Sequence, residues 1–233
     1  MSPTSYQAAL PRSRERRVAP APALGKHHGS KSGPDPTLPA VATPPLTHAI
    51  RDSIALLRRL GDDARAMERA GGIADLLVDA FQSGGKVMIC GNGGSACDAA
   101  HFAEELTGRF RTDRPPLPAL ACTDVGHVTC TGNDYGFEYV FSRWVAALGR
   151  PGDVLILLST SGNSPNLLRA RDAGAHAGMK TVALLGKTGG ELKGRCDHEV
   201  LVPGDTSDRI QELHMLLLHA LVEHVEAALF PRA

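Results

Sequence analysis

The 233-residue chain balances 25 Lys and Arg against 25 Asp and Glu, so no net field draws it to nucleic acid or to an anionic membrane surface. Only 4% of its residues are aromatic, which leaves little for base-stacking platforms. No apolar run approaches the roughly 20 residues of a bilayer span, and the length suits one sizeable domain with a full core. The first 45 residues stand apart: they hold nine of the 16 prolines and a basic run at Arg12–Arg17, without apolar periodicity. Such a segment cannot bury enough surface to offset its ordering entropy, so residues 1–45 are expected to form a disordered, Pro-rich tail. The tail lacks the apolar stretch of a secretory signal and its prolines spoil the amphipathic helix of a transit peptide, so a cytoplasmic location is expected. A misassigned start codon accounts for the tail equally well.

Residues 46–233 read as one domain. Ile50, Ile54, Leu57 and Leu60 recur at helical spacing, and a second helix is predicted from about Ala64 to Phe81. Strand and helix then alternate. Strands are predicted at Lys86–Cys90, Leu117–Cys122, Asp153–Leu158, Lys180–Leu185 and Glu199–Val202, with helices near Gly94–Thr107, Tyr139–Ala147, Pro165–Gly178 and Ser207–Leu229. Continuously apolar strands separated by helices indicate a three-layer α/β/α fold around a five-stranded parallel sheet. In the flavodoxin-like, doubly wound order 2-1-3-4-5, strands one and three are neighbours at the switch point.

Those two strands carry the most informative segments of the chain. Cys90-Gly91-Asn92-Gly93-Gly94-Ser95-Ala96 follows the first, and Ser159-Thr160-Ser161-Gly162-Asn163-Ser164-Pro165-Asn166 follows the third. Gly- and Ser-rich turns that lead into helices aim backbone N–H groups and hydroxyls at an anion, and the helix N-terminus adds partial positive charge. The first segment also fits G-x-G-x-x-A of a dinucleotide site, but the ribose-binding acid expected about 20 residues on is missing. The nearest candidate, Asp124, lies 33 residues past Gly91, and no G-K-[ST] follows to make a P-loop. In the second segment, Ser164 before Pro165 reads as an ordinary N-cap with proline at N1. Ser159, Thr160 and Ser161 remain as hydroxyls suited to the several acceptor oxygens of a phosphate ester.

On the helix after the first loop, His101 and Glu105 are four residues apart and share a face, with Arg109 a turn further on. An ordinary charged helix surface would look the same. In the last helix, Gln211 and His219 drift apart by only about 80°, so both can face one cavity. His101, Glu105, Gln211 and His219 are N and O donors of the kind that hold a divalent metal, usually zinc. His198, His214 and His224 read as surface or satisfied structural histidines. The five cysteines, Cys90, Cys97, Cys122, Cys130 and Cys196, form no C-x-x-C pair and read as reduced core residues.

The run CGNGGSACDAAHFAEELTGRFRTDRP, followed by TDVGHVTCTGNDYGF, STSGNSPN, LLGKTGG and DRIQELHMLLLH, resembles the phosphoheptose isomerase branch of the sugar isomerase (SIS) domain proteins over about residues 47–230. The resemblance implies an aldose–ketose isomerase that converts sedoheptulose 7-phosphate to D-glycero-D-manno-heptose 7-phosphate, the entry step of ADP- or GDP-heptose synthesis. It implies phosphate contacts at Asn92, Gly93, Gly94, Ser95, Ser159, Thr160, Ser161 and Ser164, and substrate contacts at Arg109, Asp134, Asp208 and Gln211. It also implies Glu105 as general base, His219 as its acid–base partner, and one zinc per subunit on His101, Glu105, Gln211 and His219. The implied assembly is a homotetramer with sites shared between subunits. Gly126 stands where that pattern favours a small hydroxyl residue. The alternative is a catalytically inactive SIS-domain protein of the type that binds a bacterial replication initiator; such proteins lack the acid–base pair.

Overall fold

The structure, a computed structural model, describes residues 45–231. The expected tail lies outside the described residues except for Pro45, which opens α1 (Pro45–Gly61). Helix α2 (Ala64–Gln82) starts at Asp63, whose carboxylate accepts from the N–H groups of Arg65 and Ala66, both at 3.0 Å. Those are two of the donors that a helix N-terminus leaves without an internal partner. The alternation continues through β1 (Val87–Gly91), α3 (Gly94–Thr107), β2 (Ala119–Ala121), α4 (Val125–Asp134), α5 (Val140–Leu148) and β3 (Val154–Ser159). It ends with α6 (Pro165–His176), β4 (Lys180–Leu185), β5 (His198–Leu201) and α7 (Ser207–Leu229).

The five strands form one parallel sheet in the order β2-β1-β3-β4-β5, as expected. All five residues of β1 and all six of β3 are buried, because helices cover both faces. One face packs Val87, Ile89, Ile156, Leu158 and Val182 against α2, α3 and α7. The other packs Met88, Cys90, Leu155, Leu157 and Leu185 against α5 and α6, with α4 beside them through Val128. An ion pair fixes where β1 and β3 begin: the Lys86 ammonium meets the buried Asp153 carboxylate. The same carboxylate accepts from the backbone N–H groups of Lys86 (3.0 Å) and Arg150 (2.9 Å). From there the register runs Val87↔Val154 to Gly91↔Leu158, so the two strands end together.

Helix α4 is not anticipated by sequence periodicity. Its residues, VGHVTCTGND, include two glycines and four β-branched residues, which are weak helix formers. It forms because Asp124 caps it, accepting from His127 N–H at 2.6 Å, and because the His127 ring bonds the Val140 carbonyl oxygen at 2.9 Å. The cysteines also divide differently from expectation. Cys90 and Cys122 are buried, Cys196 is half-buried, but Cys97 and Cys130 are exposed on α3 and α4, where nothing requires an apolar side chain. No helix among the described residues is long and apolar enough to cross a membrane.

His214 is not a surface histidine. It is fully buried in α7, and among the described residues neither ring nitrogen has a hydrogen-bond partner. Burial pushes its pKa down to about 4; the nearby Leu185 backbone favours the proton slightly, without hydrogen-bond geometry. An unfolded histidine takes its proton near pH 6.5, so between about 6.5 and 4 the unfolded chain binds more protons than the folded one. Stability contributed by the neutral ring is therefore present above pH 6.5 and declines as the pH falls, by up to about 3 kcal/mol. Urea unfolding from pH 7 to pH 4 is expected to show this decline in the wild type and a shallower one in His214→Leu. Parallel profiles would contradict it.

Candidate active site

The carboxyl ends of β1 and β3 open onto a cavity of about 290 Å³ lined by both predicted loops. Asn92, Gly93, Gly94 and Ser95 come from the first, and Ser159, Thr160, Ser161 and Ser164 from the second, with Ser207 and Gln211 added from α7. Three helices thus start at this cavity: α3 at Gly94, α6 at Pro165 and α7 at Ser207. Their free N–H groups and dipoles favour an anion there, and among the described residues no Lys or Arg lines the cavity.

The cradle is held by polar contacts and close backbone packing. Asn92 and Asn166 exchange reciprocal amide bonds at 3.0 and 2.8 Å, which locks the first loop to the start of α6. The Ser159 hydroxyl oxygen accepts from Gly162 N–H (2.9 Å) and the Ser161 oxygen from Asn163 N–H (3.3 Å), leaving both hydroxyl protons free to donate. Thr160 and Ser207 hydroxyls meet at 3.1 Å. Gly162 has φ +71°, and a Cβ there would lie 1.8 Å from the Gly189 carbonyl oxygen. Gly190, at φ +55°, likewise has no room, since its Cβ would lie 2.3 Å from the Ser161 carbonyl oxygen. The turn therefore rests directly on the Gly189–Gly190 backbone.

Further along α3 and α7, three side chains converge. His101 Nε2 is 3.1 Å from Glu105 Oε1, and His219 Nε2 is 3.9 Å from the same oxygen. The two imidazole rings meet edge to face with centroids 5.1 Å apart, and Phe110 stacks on His219 at 5.8 Å. One ligand atom from each of His101, Glu105 and His219 lies within 4.8 Å of the others. Zinc–nitrogen and zinc–oxygen bonds of about 2.0–2.2 Å put neighbouring ligand atoms some 3–4 Å apart, the range in which both histidine nitrogens lie from Glu105 Oε1. Only 15% of the Glu105 side chain is exposed, against 46% for His101 and 37% for His219. The carboxylate thus forms the floor of a site that opens through the histidines.

Most of the chain is similar to known proteins. The SIS domain family matches residues 50–186. The chain is 50% identical over 186 residues to the phosphoheptose isomerase of Fusobacterium nucleatum subsp. nucleatum, covering 80% of this chain and 96% of that protein. The chain belongs to the phosphoheptose isomerase family. Solved phosphoheptose isomerases superpose on it: that of Neisseria gonorrhoeae at a TM-score of 0.72 and 40% identity, covering 78% of this chain and 97% of its own. That of Francisella tularensis gives 0.73 at 38% identity, covering 77% and 95%.

In this phosphoheptose isomerase family member the expected residues do not all meet. The cradle gathers Asn92, Gly93, Gly94, Ser95, Ser159, Thr160, Ser161 and Ser164, and Ser164 is freer than expected, since its hydroxyl makes no capping bond to α6. Gln211 lies at the cradle wall: its amide packs on Gly94 and donates to Ser95 Oγ at 3.4 Å. Arg109, Asp134 and Asp208 are exposed and line no part of the cradle. Arg109 does not continue the stripe of His101 and Glu105, because α3 stops at Thr107 and Gly108 turns the chain. Asp134 closes α4 beside Cys130 and Asn133. Asp208 is held below the usual carboxylate range by the Thr206 hydroxyl and by neighbouring Arg209.

Several contributors carry no sequence signal of their own. Ser207 and Asn166 are a hydroxyl and an amide among many, and Phe110 lies in a turn. Asp98, one turn before His101, has a carboxylate oxygen buried without a partner among the described residues, and burial raises its pKa while His101 opposes the shift. The tightest constraint is Gly162. Gly162→Ala must displace either the Ser159–Ser164 turn or the Gly189–Gly190 backbone, at a stability cost of about 1–3 kcal/mol. Calorimetric titration with inorganic phosphate is expected to show at least about tenfold weaker binding, by the preorganisation lost. Unchanged phosphate affinity would count against this turn as the anion site.

Proposed function

We propose that this chain interconverts sedoheptulose 7-phosphate and D-glycero-D-manno-heptose 7-phosphate, with the phosphate in the cradle and the carbonyl end at Glu105 and His219. The observation that carries this reading is the two-ended site on one helix pair: α3 and α7 each supply residues to the cradle and to the trio. Ser95 and Glu105 are ten residues apart on α3, about 15 Å along its axis. That span suits a long open-chain sugar phosphate better than a short one.

Isomerisation moves a carbonyl from C2 to C1 through an enediol. Glu105 takes the proton from C1 and returns it to C2, while His219 gives a proton to O2 and accepts one from O1, so atoms and charge balance over the cycle. Phe110 stacked on the His219 ring and His101 packed edge to face with it restrict the orientation of that ring. His101, Glu105 and His219 would hold a zinc ion, and the Gln211 amide oxygen, which accepts no hydrogen bond among the described residues, would complete the set. When bound, zinc supplies Lewis-acid polarisation of the substrate carbonyl and fixes its ligands in place. The inactive-relative alternative has no support here, since Glu105 and His219 are both present and adjacent.

We further infer a homotetramer with shared sites, acting in the cytoplasm. Leu46, Ile50, Ile54 and Leu57 leave an apolar stripe of α1 between 42% and 72% exposed, as self-association would require. Arg109, Asp134 and Asp208 are exposed and free to meet substrate across a subunit boundary.

Glu105→Gln is expected to lower kcat by at least about a thousandfold, within the range of a lost general base, while changing KM little. The assay is conversion of sedoheptulose 7-phosphate to the aldose, with zinc content measured on the same sample. Chelation followed by zinc addition should remove and then restore activity. Turnover by Glu105→Gln near the wild-type rate would refute the assignment.

A further inference from the structure

The segment after α3 is tied to both helices of the acid–base pair through one buried guanidinium. Arg114 has a side chain only 1% exposed. Its Nη2 donates to the Glu105 carbonyl oxygen at 2.6 Å, and its Nη1 to that of Leu106 at 2.7 Å. Nη1 also reaches the Gly108 and Pro115 carbonyl oxygens, at 3.4 and 3.2 Å. Its Nε donates to Glu226 Oε1, at 2.8 Å, on α7. The last carbonyls of a helix lack internal partners and carry partial negative charge, so a cation with several donors is suited to that position.

The contacts follow one stripe of α7. His219, Glu223 and Glu226 fall at i, i+4 and i+7, and they meet Phe110, Arg111 and Arg114 in turn. The Arg111 pair is exposed on both sides and contributes little. The Arg114 pair is buried on both sides, and breaking it leaves an uncompensated charge. Arg114 therefore grips the backbone of Glu105 itself and the helix that carries His219. It also anchors the turn that lays Phe110 on the His219 ring.

We propose that Arg114 is a positioning residue of the isomerisation, setting the separation of Glu105 from His219 through the end of α3 and Glu226. This rests on the reading of those two residues as the acid–base pair. A lysine keeps the charge but has no planar fork, so it cannot serve α3 and Glu226 at once.

In Arg114→Lys, kcat is expected to fall by about 10- to 100-fold, the scale of an ångström-level misplacement. KM and inorganic phosphate affinity at the distant cradle should stay within about threefold, a split that general loosening would not produce. A folded Arg114→Lys protein with a lower melting temperature but wild-type kcat would overturn the proposal. Should that variant fail to fold, Glu226→Gln and Glu226→Ala decide instead. Glutamine keeps an acceptor for Arg114 and should recover several-fold of the kcat that alanine loses; equal kcat in the two, high or low, overturns the proposal. Glu105→Gln run alongside separates the failures. Turnover retained there removes the acid–base reading, whereas turnover lost there with Arg114→Lys at the wild-type rate removes only the positioning role.

Discussion

The pairing of β1 directly with β3 governs the rest of this molecule. Two βα turns can share a ligand only if their strands are neighbours and end at the same level, and the register from Val87↔Val154 to Gly91↔Leu158 provides both. Asp153 sets that register from the opposite end of the sheet by holding Lys86 through backbone and side chain together. Because β1 leads to an edge strand on one side and β3 to β4 on the other, α3 and α6 diverge to opposite faces of the sheet. A crevice remains between them, which is where doubly wound sheets bind ligands.

The crevice attracts an anion with neutral groups. Three helix N-termini and a ring of hydroxyls provide many short-range donors, and a buried lysine's desolvation cost is avoided. Part of the polar capacity goes to holding the cradle in shape: the Asn92–Asn166 pair and the Ser159 and Ser161 oxygens are bonded within the protein. The two helices that carry the trio are less fully satisfied. Among the described residues, Asp98 of α3 keeps a buried carboxylate oxygen without a partner, and His214 of α7 is buried with neither nitrogen bonded. Unsatisfied groups of this kind cost stability, and they sit on the two helices that carry the acid–base residues.

The sheet order, the layers and both cradle loops were legible because they rest on local signals: apolar runs of strand length, and turns whose Gly and Ser residues precede helices. The pairing of His101 with Glu105 was legible for the same reason, being a spacing within one helix. What failed depended on distant contacts or on where an element stops. Arg109 lies beyond the end of α3, so helical spacing from Glu105 does not set its direction. Helix α4 has poor intrinsic propensity and owes its existence to Asp124 and to a bond reaching Val140. The packing of the Gln211 amide on Gly94 and its bond to Ser95 join α7 to α3, a contact that spacing within one helix does not reveal. Arg114 carries no sequence signal of its own, because its partners on α3 and α7 come together only in the fold.

The contact of Gly162 and Gly190 with each other's neighbouring backbone has a consequence for how this fold can diversify. Neither position accepts a Cβ, so the turn and the segment beneath it cannot change shape one residue at a time. The phosphate grip is in effect frozen against gradual mutation. Divergence in substrate choice must arise instead where side chains still have room, at the open mouth around His101 and the exposed turn beyond α3.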